Sequence, residues 1–73
     1  MKAAHGRISV MQEQRFRLTT DTGQSLLFTL AHDAHVDVAD VNRFRIAQMP
    51  VVVKYEGEPG LASAVARRVN PIS

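Results

Sequence analysis

Apolar and polar residues alternate along the chain between Gly6 and Asp21. Ile8, Val10 and Gln12 fall on one face and Arg7, Ser9 and Met11 on the other; the pattern restarts with Phe16 and Leu18 facing one way and Arg15, Arg17 and Thr19 the other. A two-residue period marks a strand with one buried face, because successive side chains leave opposite sides of the backbone. Two strands are therefore predicted, meeting at Glu13-Gln14. That junction lacks the Asn-Gly or Asp-Gly chemistry of a tight hairpin, so a looser turn or a bending strand is expected there. Asp21-Thr22-Gly23-Gln24 makes a better turn, since Gly23 reaches positive φ freely and Asp21 can hydrogen-bond its own backbone. The next segment, residues 25–30, is rich in strand formers, with Leu26, Phe28 and Leu30 on its core face. These three segments read as an antiparallel meander.

From Asp37 the period changes. Val38, Val41 and Phe44 are spaced by three, Asp37 is placed as an N-cap, and Asp40 in the first turn suits the helix dipole. Pro50 ends the helix before Met49, because the residue preceding a proline is pushed out of helical geometry. Residues 51–55 return to alternation, with Val51, Val53 and Tyr55 on one face and Val52 and Lys54 on the other. Residues 61–69 fit two patterns. As a helix, Leu61, Val65, Arg68 and Val69 share a side, and Ala62, Ala64 and Ala66 favour it by propensity. As a strand, Leu61, Ser63, Val65, Arg67 and Val69 alternate with alanines small enough for a tight barrel. Four strands leave an edge that a fifth seals, which favours the strand. The expected fold is mainly β: one domain over residues 1–73, a five-stranded barrel made of a three-strand meander, one helix and two strands. The alternative is an α+β fold with a C-terminal helix at 61–69.

Three strands, a helix and two strands is an order that resembles the OB-fold, whose helix falls between the third and fourth strands of a small barrel. Phe16-Arg17-Leu18, the turn at Gly23, Ala31-His32, Pro50-Val51-Val52-Val53 and Tyr55 carry a likeness in outline to S1-type domains and the smallest bacterial translation initiation factor. The family's basic stretch before the helix is here Asp33-Ala34-His35-Val36-Asp37, of net negative charge, and the paired aromatic motifs of the similarly sized cold-shock proteins have no counterpart. The resemblance therefore carries over a fold and no functional residues.

Composition narrows the chemistry. With no cysteine there is no disulfide, thiolate nucleophile or zinc-thiolate site. No apolar run approaches the roughly 20 residues that span a bilayer, and residues 1–7 contain no apolar signal region, so a cytoplasmic protein without a membrane partner is expected. Nine Lys and Arg against seven Asp and Glu give a net charge of +2. Arg15 and Arg17 share the outward face of the second strand, and Lys54 and Arg67 are expected to join them as a nucleic-acid-binding face. Met11, Leu27 and Val52 carry outward parity in their strands, and with Tyr55 at a strand end they form a candidate interaction surface. His32, Asp33, His35 and Asp37 are a dense cluster of ligand-type side chains, but their spacing matches no closed metal site, so no metal is expected. There is no glycine-rich phosphate loop, nucleophile elbow or paired acid and base, so no catalytic residue and no cofactor is assigned. The expectation is a small non-enzymatic binding or accessory module with an unidentified protein partner or a second copy of itself. The alternative is binding of RNA or single-stranded DNA through the basic face.

Overall fold

The computed structural model describes residues 1–59 and 63–72. The elements are β1 (Lys2–Gln12), β2 (Arg15–Thr20), β3 (Ser25–Leu30), α1 (Val38–Ala47), β4 (Val51–Glu56) and β5 (Ala64–Pro71). They close into a barrel in the order β1-β2-β3-β5-β4. All pairings are antiparallel except β3 with β5, which run parallel over Phe28–Leu30 and Ala64–Ala66. With its helix between the third and fourth strands this is a small OB-like barrel. Of the two patterns open to the C-terminal segment, the strand is adopted from Ala64 onward, while residues 61 and 62 lie outside the described residues. Ala64 and Ala66 point inward and are fully buried between β3 and β4.

β1 starts at Lys2, four residues before the alternation suggested, and Gly6 lies in its middle rather than at its edge. There β1 passes from one neighbour to the other: Gly6 pairs with Val51 of β4 on one side and Thr20 of β2 on the other. A Cβ at this position would meet the Thr19 carbonyl oxygen, so the close backbone approach requires glycine. The β1–β2 connection is also tighter than expected. Gln12 opposes Arg15, leaving a two-residue turn in which Glu13 adopts φ 57°. The Leu30 amide donates to the Gln14 carbonyl at 2.7 Å, a tertiary bond that ties this non-glycine turn down. In the next turn, Gly23 has φ 88° as expected, but the side-chain acceptor is Thr20 Oγ1, which takes the Gln24 amide at 3.0 Å.

The core is built from the inward faces: Ile8, Phe16, Leu18, Phe28, Val51, Val53 and Val69, with Val41 plugging it from the helix. The Phe28 ring stands 5.4 Å from Phe16 and 5.0 Å from Tyr55, so one side chain links β2, β3 and β4. The helix starts at a reciprocal cap. Asp37 accepts from the Asp40 amide at 2.9 Å, and Asp40 accepts from the Asp37 amide at 3.2 Å. It ends at Gln48, in left-handed geometry, whose side chain reaches the Arg45 carbonyl at 2.8 Å and the Ile8 carbonyl at 3.3 Å. That contact locks the helix end onto β1.

Candidate functional site

The outer wall of β2 carries Arg15, Arg17 and Thr19, all exposed, because Phe16 and Leu18 occupy the inward positions. What flanks them is decided by an irregularity in β1. Ile8 opposes Leu18, but Val10 opposes Arg17, so one extra residue enters β1 between them. Beyond this bulge the parity of β1 inverts. Val10, expected inside, is half exposed on the outer wall, and Met11, expected outside, packs against the core. Met11 is thereby removed from the candidate interaction surface. The sequence held one sign of this: the uninterrupted alternation left the polar Gln12 on the core face.

Two cross-strand rows result. Val10, Arg17 and Leu27 form one, and Gln12, Arg15 and Thr29 the other. Between them lies an open groove of about 360 Å³ lined by Val10, Gln12, Glu13, Arg15, Arg17 and Leu27, with Phe16 beneath. Leu27 is half-buried and faces outward as its parity required. Among the described residues neither arginine makes an ion pair; the four pairs present involve Lys2, Arg43 and Arg67. Two guanidinium groups thus line this groove, Arg17 with Val10 and Leu27 on either side, free to engage an anion by bidentate hydrogen bonding.

The other two cations of the expected basic face lie elsewhere. Arg67 donates to Glu56 at 2.8 Å and to Asp33 at 3.0 Å, and its pKa is raised by its hydrogen bond to Glu56, then by the charges of Glu56 and Asp33. It ties β5 to β4 and to the loop before the helix, and its charge is neutralised there. Lys54 is on the outer face of β4 opposite Ala3 of β1, seven residues along that strand from Val10 and so roughly 20 Å of strand path away. The expected set of four therefore separates into Arg15 with Arg17, a distant Lys54, and an internally paired Arg67.

The remaining interaction candidates separate in the same way. Val52 is half-buried on the outer wall between His5 and Asn70. Tyr55 is half-buried at the barrel end, with its ring 5.0 Å from that of Phe28 and packed against the core. Apolar exposure appears instead at positions the alternation did not single out: Val65 beside Thr29, and Ile46, Met49 and Ile72 near the helix C-terminus. In the loop cluster, Asp37 is occupied by the helix cap and Asp33 by Arg67, leaving His32 and His35 exposed. Among the described residues no group of three or more His, Asp or Glu side chains is arranged to hold a metal ion. No helix among them is long and apolar enough to cross a membrane.

Comparison of the chain with protein-family models, curated proteins and solved structures gives no match.

Proposed function

We propose that the chain is a non-catalytic binding module that takes single-stranded RNA or DNA along the outer face of β1, β2 and β3. The observation that carries this is the pair Arg15 and Arg17, without ion-pair partners among the described residues, in a groove where Val10 and Leu27 flank Arg17. Phosphates take the guanidinium groups, and base or sugar surface takes the Val10 and Leu27 side chains. With no aromatic ring on this wall, stacking contributes little. Affinity then comes mainly from phosphates, is tolerant of sequence and falls steeply with salt.

Fluorescence anisotropy with a mixed-sequence single-stranded oligonucleotide, at low and physiological salt, tests the reading. Arg15→Ala with Arg17→Ala is expected to weaken binding at least tenfold and to reduce the salt slope by about 2, one per lost phosphate contact. Its thermal midpoint should stay near that of the wild type, since both side chains are exposed. A wild-type protein that binds no oligonucleotide even at low salt overturns the reading.

A second reading, a protein partner such as another copy of the chain, is favoured by Ile46, Met49 and Ile72, exposed by 67%, 40% and 44%. The Ile72 amide donates to the Pro50 carbonyl at 2.9 Å, which sets Ile72 beside the Met49-Pro50 segment as one apolar edge.

A further inference from the structure

Lys54 and Arg68 stand directly opposite each other on antiparallel β4 and β5, both on the outer wall and both exposed. Like charges in this position weaken a sheet, since the two side chains leave the backbone about 5 Å apart. The nearby carboxylates do not relieve them: Glu56 is held by Arg67 at 2.8 Å and Glu58 by Lys2 at 2.6 Å. The next row of the same wall is Asn70, Val52 and His5, all without acidic side chains.

The juxtaposition is made by a second irregularity. Tyr55 opposes Ala66, but Lys54 opposes Arg68, so Arg67 is the extra residue. An unbroken ladder would set Arg67 opposite Lys54 and turn Val69 outward. The bulge returns Val69 to the core, sends Arg67 sideways to Glu56 and Asp33, and leaves Arg68 beside Lys54. In the closed order β1-β2-β3-β5-β4, the neighbours of β2 are β1 and β3, so β4 and β5 lie across the barrel from it. The Lys54–Arg68 wall and the Arg15–Arg17 wall therefore stand back to back.

We infer that the β4–β5 wall is a second polyanion-binding face, and that one chain holds two segments of single-stranded nucleic acid at once. This rests on the reading of the β2 wall given above. The two walls lie on opposite sides of a molecule 28 × 28 × 22 Å across, so an oligonucleotide lying along one wall leaves the other open to a second.

The test uses two oligonucleotides of about six nucleotides, within the site size of a single OB-fold, one carrying a fluorescence donor and the other an acceptor. Wild-type protein is expected to bring them together, with energy transfer and a stoichiometry of two per chain. Lys54→Gln with Arg68→Gln should still bind one oligonucleotide, with anisotropy affinity within twofold of the Arg15–Arg17 site, but lose the energy transfer. Transfer that persists in this variant, or is missing in a wild type that binds, overturns the inference and leaves the β2 reading standing. A wild type that binds no oligonucleotide removes both.

Discussion

A methyl group at position 6 would meet the Thr19 carbonyl oxygen and stand 2.8 Å from Thr20 Cα, so the backbones of β1 and β2 approach there as only glycine allows. Gly6→Ala is therefore expected to lower the unfolding free energy by about 1–3 kcal/mol, the usual range for forcing atoms into a filled space. The midpoint of urea unfolding reads this directly, and an unchanged midpoint would mean that the strands can separate at no cost. In the sequence Gly6 reads as punctuation, because a glycine in an alternating run marks a turn or a barrel corner equally well. Arg15 and Arg17 were legible, since Phe16 and Leu18 leave no doubt which face of β2 is inside. Arg67 was not, because its parity placed it outward and only the fold brings Glu56 and Asp33 to it.

At the level of elements, the helix was readable throughout because everything that defines it is local. Asp37, Asp40 and the spacing of Val38, Val41 and Phe44 all lie within one short segment. Asp37→Ala removes the acceptor of the Asp40 amide and should cost about 1 kcal/mol. Thermal unfolding followed by circular dichroism measures it; a midpoint equal to the wild type would show the cap to be idle. The strands were less legible. A bulge inserts one residue and exchanges the two faces of everything beyond it, so Val10 and Met11 changed places with only Gln12 to signal it. The tight turn at Glu13 was hidden for a related reason, since its support comes from Leu30 of another strand. In the C-terminal segment, alanine's helix propensity opposed the strand, and barrel closure decided the outcome.

The whole molecule has properties that none of its elements has alone. Closure buries Phe28 between Phe16 and Tyr55, puts the cationic pairs on opposite walls, and gathers Met49, Pro50 and Ile72 into one edge. If that edge is an interface between copies, the wild type sediments faster as its concentration rises, and Met49→Lys with Ile72→Lys stays monomeric. Sedimentation velocity that shows a monomer at every concentration removes the second copy as partner. The sequence by itself determined the first four strands and their order, the helix and its cap between the third and fourth, and the inward faces of β2, β3 and β4, because side-chain period and capping act over a few residues; the strand at the C-terminal end was settled by closure of the barrel. Only the tertiary structure decided where β1 begins, how the two bulges re-aim Val10, Met11 and Arg68, and which cations remain unpaired. Those outcomes depend on contacts between residues far apart in the chain, which become neighbours only when the barrel closes.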